Sequence, residues 1–256
     1  MIEVKIVTVN AIGGLKMKYA KFNVAIVAAV ILLTTISTFA QQPKTILSLA
    51  KMYSTALQQY KNQKKKSSVE LVIIKGNRVA GEYDDLEKLT VSEYELLKRR
   101  MIGFDINREE VLYIVPDSRY FFNLAKTHGI AADLEYFKLM QRIKPDNVWA
   151  AYRQQQTDVT GCTIYGNGSL TQLYGKALRF KHRFPKSFTS NINEAIQDIL
   201  KEFSEGGCAC GSSDSVVKEF DLFIRYYPKD PNTTKIKANL RQIKKQGNFR
   251  YNCHSG

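Results

Sequence analysis

The residues with the strongest claim to chemistry are four cysteines, Cys162, Cys208, Cys210 and Cys253, all within the last 95 positions of a 256-residue chain. An even number of cysteines in an exported chain argues for disulfides. Pairing Cys208 with Cys210 would close a very tight ring. The segments around 160–168, 205–212 and 248–254 are each separated by two expected helices, so in an up-down stack they fall at one end of the molecule. That order favours Cys162–Cys208 and Cys210–Cys253. A loop of this length is worth roughly 4 kcal/mol in the chain-entropy account. The same cysteines, with His254, could instead hold zinc. The Cys-x-Cys spacing lacks the paired Cys-x2-Cys knuckles of such sites. A redox role for Cys208-Ala-Cys210 lacks a βαβ context.

Other catalytic types are thinly spread. The histidines are His128, His182 and His254. His128 and His182 fall at expected helix ends, where solvated or capping histidines are common. No His-Glu-x-x-His helix, Gly-x-Ser-x-Gly elbow or phosphate loop is written in the chain. Tyr165-Gly-Asn-Gly168-Ser169 opens a helix and could offer N–H groups to an anion; a turn followed by an N-cap explains it as well. Adjacent carboxylates such as Asp84-Asp85 and Glu109-Glu110 point to different faces and make weak acid–base pairs. No cofactor or metal is expected, and the reading leans away from an enzyme.

The formal net charge is +14, and residues 1–40 hold only four lysines and one glutamate, so +11 stays in the rest. A basic exported protein is drawn to anionic surfaces. Two cation sets share a helix face: Lys176, Arg179 and Arg183, and Lys237, Arg241 and Lys244. Both lie toward helix C-termini, where cations also offset the macrodipole. Together they are the candidate face for an anionic partner. Membrane-surface contact fits that face, and no nucleic-acid motif accompanies it.

The elements that must carry these groups are mostly helices. Residues 168–247 write one plan twice: Phe180-Lys-His-Arg-Phe-Pro185-Lys answers Phe223-Ile-Arg-Tyr-Tyr-Pro228-Lys, with the prolines 43 residues apart. Leu170, Leu173, Tyr174, Ala177, Leu178 and Phe184 recur at helical spacing behind a Ser169-x-x-Gln172 capping box. Asn191 with Glu194 starts a second helix through Ile192, Ala195, Ile196, Ile199, Leu200 and Phe203, and Gly206-Gly207 ends it. Val216, Val217, Phe220, Phe223, Ile224 and Tyr227 then lead to Pro228-Lys-Asp-Pro231. Asn232 and Thr233 are cap candidates for a stripe of Ile236, Leu240 and Ile243. A weaker precursor runs through Tyr136, Phe137, Met140 and Ile143 to Pro145. Each proline ends its helix because the residue before it is pushed out of the helical region. This succession resembles tetratricopeptide-like helical-hairpin repeats of bacterial envelope proteins. The resemblance covers about 80 residues and implies stacked hairpins with a binding surface. Its period of 40–43 is longer than the usual ~34.

Upstream, residues 44–61 read as a helix. Val69-Glu-Leu-Val-Ile-Ile-Lys75 and Val111–Val115 read as short strands, expected to form one small β-ribbon. Thr90-Val-Ser-Glu93 is a capping box, and Gly129 a helix C-cap. Residues 22–36 form an apolar run preceded by Lys16, Lys18 and Lys21 and followed by Ser37-Thr-Phe-Ala40. This is the pattern of a signal peptide cleaved after Ala40, too short for a spanning helix. Met17 is a more typical start than Met1. The expectation is therefore a signal region over 1–40 and a mainly α mature domain over 41–256, built of antiparallel helical hairpins stapled by disulfides. It would act in the periplasm or outside the cell as a non-enzymatic interaction protein for a protein or an anionic envelope component. The alternative is a secreted hydrolase or toxin-like effector with its site in 104–167. The sequence sets no oligomeric state.

Overall fold

The computed structural model describes residues 4–9, 15–20, 45–109, 111–157, 160–205 and 208–246. They fall in two units, residues 1–43 and 44–256. In the first unit β1 (Val4–Val9) pairs antiparallel with β2 (Leu15–Ala20), so that Met17 lies opposite Val7. No expectation from the sequence covered this hairpin. The apolar run 22–36 and the cleavage position after Ala40 lie outside the described residues.

The second unit begins where one apolar stripe becomes continuous. Ile46, Ala50, Tyr53, Leu57 and Tyr60 recur every three or four residues and are the buried face of α1 (Thr45–Lys61). Residues 69–75, expected as a strand, belong to α2 (Glu70–Ala80). Val72, Ile73, Gly76 and Val79 are buried, whereas Leu71 is 72% exposed and Ile74 39%. That spacing is helical, and alternation would have buried Leu71 with Ile73. Gly76 is a contact point: a Cβ there would land on the Phe104 ring.

A 3-10 turn (Tyr83–Lys88) leads to α3 (Val91–Arg100). Its Thr90 capping box is present, with the Thr90 N–H donating to Glu93 Oε2 at 2.8 Å. The ribbon forms between β3 (Phe104–Asn107) and β4 (Tyr113–Pro116), in place of the expected pairing with 69–75. Asp117 caps α4 (Ser118–His128), accepting from the Arg119 and Tyr120 N–H groups at 2.8 and 3.2 Å. Gly129 closes it as expected, and α5 (Ala131–Ile143) follows.

A second, unanticipated ribbon joins β5 (Arg153–Gln155) to β6 (Gly161–Thr163). The remaining helices are α6 (Ser169–Arg183), α7 (Thr189–Ser204), α8 (Ser213–Tyr226) and α9 (Thr233–Gln246). The apolar stripes read around Pro185 and Pro228 supply most of their buried faces: Leu170, Leu173, Tyr174 and Ala177, joined by Phe180; Ile192, Ile196, Ile199, Leu200 and Phe203; Val216, Phe220 and Phe223; Ile236, Leu240 and Ile243, while Leu178, Phe184, Ala195, Val217, Ile224 and Tyr227 of the same stripes are partly buried. α6 packs on α7 and α8, α9 packs on α7 and α8, and α5 lies against α6. The fold is thus mainly helical with small antiparallel ribbons.

The expected caps of α6 and α7 give way to carboxylates from distant elements. α6 starts from Gly168 at φ +78°, a left-handed backbone suited to glycine. Glu219 of α8 lies fully buried beneath that turn. It accepts from the N–H groups of Gly166, Gly168 and Thr171 at 3.0, 2.8 and 3.1 Å, and from the Thr171 hydroxyl at 2.8 Å. Ser169 Oγ is buried and has no hydrogen-bond partner among the described residues. α7 starts two residues before Asn191, from Phe188, whose N–H donates to Glu70 Oε1 at 2.7 Å. Asp133 plays the same part for α2 and α5, accepting from Ser68 Oγ and from the Val69 and Ile130 N–H groups at 2.8, 3.3 and 2.9 Å. Each carboxylate meets the positive end of a helix and spans 48 or more residues of chain in the Glu219 and Glu70 cases.

Candidate functional site: a basic groove

Lys176, Arg179 and Arg183 follow one another at i, i+3 and i+7 on α6, so they share a face. The structure sets that face against α5. The groove between the two helices, about 300 Å³, is walled by Glu135, Lys138, Leu139 and Arg142 on one side and by Lys176, Arg179, Phe180, Arg183 and Phe184 on the other. Leu139 and Phe180 are buried and form its floor. The Arg183 guanidinium lies over the Phe184 ring, 5.2 Å from its centroid.

Charge is poorly balanced here. Glu135, the acid of the groove wall, approaches Lys138 at 3.4 Å, and both are exposed enough for water to compete. Among the described residues no carboxylate lies within ion-pair distance of Arg142, Lys176, Arg179 or Arg183. Burial lowers the Lys176 pKa, and repulsion from Arg142 and Arg179 lowers it further. Cations that crowd one another without a counter-charge form a site that an anion would relieve. The macrodipole does not account for Lys176, because Lys181, His182 and Arg183 occupy the last turn of α6.

Helical spacing in the sequence pointed to three of these five cations. It missed Lys138 and Arg142, which stand at i and i+4 on α5. Their own spacing was visible, but nothing local places them opposite Lys176. The second set behaves differently. Lys237, Arg241 and Lys244 lie exposed on α9. Lys244 approaches Asp221 at 3.5 Å, and Arg241 Nε bonds back to the Lys237 carbonyl at 3.4 Å. They are not among the residues that wall the groove.

The cysteines are partly corrected. Thr163 of β6 bridges to Ala209: the Thr163 N–H donates to the Cys208 carbonyl at 2.7 Å, and the Cys210 N–H donates to the Thr163 carbonyl at 2.9 Å. This clamp carries both candidate sulfurs to Cys162, and the bond is Cys162–Cys210, with Cα atoms 5.0 Å apart. The expected Cys162–Cys208 and Cys210–Cys253 pairs are thereby overturned. The expectation brought the Cys162 and Cys208–Cys210 segments together but could not choose between sulfurs two residues apart; the 248–254 segment lies outside the described residues. Cys208 is disulfide-bonded too. Cys253 and His254 lie outside the described residues. Glu202, buried nearby, accepts from Arg153 Nη2 at 2.6 Å and from Thr163 Oγ1 at 2.8 Å, so this end is tied by polar contacts as well.

Several polar groups of 104–167 hold turns, while the buried Tyr120 hydroxyl has no hydrogen-bond partner among the described residues. Asn147, at φ +68°, accepts from the Ser118 hydroxyl and N–H at 2.9 and 3.0 Å and donates to Asp105 at 2.8 Å. Asp146 accepts from the Val148 and Trp149 N–H groups at 3.0 and 2.7 Å. His128 packs edge-on to Tyr60, with ring centroids 6.0 Å apart. Among the described residues no group of three or more His, Cys, Asp or Glu converges as metal ligands. No helix among them is long and apolar enough to cross a membrane.

No protein-family model matches the chain, and no curated protein and no solved structure matches it.

Proposed function

We propose that this chain is an exported, non-enzymatic, helical-repeat interaction protein that holds an anionic partner in the groove between α5 and α6. The partner is the acidic stretch of a protein or an anionic polymer of the cell envelope. The observation that carries the reading is the groove itself: Arg142, Lys176, Arg179 and Arg183 converge from two helices over an apolar floor, without a counter-ion among the described residues. In the same reading, α6–α7 and α8–α9 are two tetratricopeptide-like hairpins whose stacking presents that face. The disulfide is consistent with an oxidising compartment outside the cytoplasm. The cysteine count and the apolar run at 22–36 support export.

The test uses the disulfide-intact protein and fluorescent dextran sulfate as the anionic probe. Arg142→Glu with Arg179→Glu should weaken binding by at least about tenfold, because each reversal replaces attraction by repulsion near the site. Lys237→Glu with Arg241→Glu changes net charge equally but lies on α9. If both pairs weaken binding to the same degree, net charge alone is responsible and the groove is not the site.

A further inference from the structure

A second concavity, about 320 Å³, opens elsewhere in the molecule, between α2, β4, α5 and α7. Its inner wall is apolar and aromatic, formed in part by Ile73, Tyr136, Phe137 and Tyr152. The wall is held in place from behind. Tyr136 stacks flat on Phe188, with centroids 3.8 Å apart and planes 3° apart, and Phe137 stacks on Phe121 at 5.6 Å. The volume lies at the small end of the range for ligand sites, about 300–1,000 Å³.

The lip is acidic in a strongly basic protein. α7 places Glu194 and Asp198 one turn apart along the opening. Glu194 has no hydrogen-bond or ion-pair partner among the described residues. Asp198 approaches Lys201 at 3.4 Å, with both side chains about half exposed, a contact worth at most about 1 kcal/mol and easily exchanged for another cation. The Glu194 charge is felt inside: burial chiefly, then Glu194 and Glu70, push the Tyr136 hydroxyl pKa up. Lys144 is the one cation of the lining, and it is exposed on a long, flexible stem.

The backbone that sets this lip is strained. Phe188, the residue before α7, has φ +51°, a left-handed conformation that is unusual for a bulky side chain. The Glu70 hydrogen bond and the Tyr136 stack hold it there. Strain of this kind persists where surrounding contacts over-determine it, and it gathers at binding sites. Its effect is to fix the first turns of α7, with Glu194, over the cavity.

We propose that this cavity binds a small organic cation, a primary amine or guanidinium carried on an apolar, preferably aromatic, body. The body fills the aromatic wall, and the cation sits between Glu194 and Asp198. The proposal stands apart from the basic groove, and either can fail without the other.

Calorimetry with the disulfide-intact protein and three probes of one shape tests it: phenethylamine, phenethyl alcohol and hydrocinnamate. The amine should bind at least about tenfold more tightly than the alcohol, and the carboxylate more weakly still. Glu194→Gln with Asp198→Asn should remove that tenfold preference. Both residues are solvent-accessible, so the variant should keep the parent helical signal and melting temperature. The proposal is overturned if phenethylamine gives no binding at millimolar concentration, if the alcohol or the acid binds as well as the amine, or if the double variant keeps the parent preference.

Discussion

Glu219→Gln isolates the buried carboxylate that starts α6. The two side chains share a shape, so the substitution leaves no cavity. Glutamine has one acceptor oxygen where glutamate has two. The carboxylate accepts four hydrogen bonds, two at each oxygen: Thr171 N–H and Oγ1 at Oε1, and the Gly166 and Gly168 N–H groups at Oε2. A glutamine can serve one of those pairs. Its NH2 then faces the other donors. A hydrogen bond to a charged group contributes about 1.5–3 kcal/mol, and a buried donor left unpaired costs about 1–3 kcal/mol. With its oxygen on the glycine N–H groups its NH2 can donate to Thr171 Oγ1, so the Thr171 N–H is the donor left orphaned; the helix N-terminus also loses its compensating charge, and the expected loss is roughly 2–4 kcal/mol. That is a large share of the ~5–15 kcal/mol that holds a typical domain together. At about 2–4 °C per kcal/mol for a domain of this size, the melting temperature should fall by roughly 10 °C. Thermal and urea unfolding followed by far-UV circular dichroism measure it, with disulfides intact. Exposed Glu205→Gln is the control and should stay within about 0.5 kcal/mol. A Glu219→Gln protein as stable as that control would refute the reasoning, because it would mean the Gly166–Thr171 turn holds itself without the carboxylate.

Three further outcomes follow from particular contacts. Cys162→Ser with Cys210→Ser opens a loop of 48 residues, for which the chain-entropy account gives about 4 kcal/mol; non-reducing peptide mapping of the parent should recover Cys162 and Cys210 in one linked fragment. Gly76→Ala should destabilise by about 1–3 kcal/mol, although alanine is the better helix former, because its Cβ would land on the Phe104 ring; chemical denaturation decides the sign. Burial raises the Asp133 pKa above its ordinary value, with its three hydrogen bonds opposing, so the folded state holds that proton more tightly than the unfolded chain does. The associated stability is present below the ordinary aspartate value and is lost as pH rises through the raised one; Asp133→Asn should flatten that descent in a plot of melting temperature against pH.

Local periodicity carried most of the secondary structure into the sequence. The stripes around Pro185 and Pro228 are buried faces, Thr90-Val-Ser-Glu93 caps α3, and Gly129 closes α4, because caps and amphipathic faces are written within a few residues of one another. The run Val69–Lys75 shows where this stops. Seven residues rich in Val, Ile and Leu fit a strand or a buried helix equally well, and burial of Val72, Ile73 and Gly76 against Phe104 decided for the helix. The caps of α6 and α7 failed for a related reason: Ser169 and Asn191 were the candidates that the local pattern offered, whereas Glu219 and Glu70 arrive from 48 and 118 residues away.

The site divides along the same line. The chain alone determined that Lys176, Arg179 and Arg183 share one face, since that is a matter of helical pitch. It also determined that Cys162 meets the Cys208–Cys210 loop, since helix order brings those turns to one end. Only tertiary structure decided that Arg142 and Lys138 face the α6 cations, that Cys210 takes the bond, and that Glu194 and Asp198 rim an aromatic cavity. Spacing along a helix is set by its own backbone geometry, whereas partners across a groove depend on how whole elements pack.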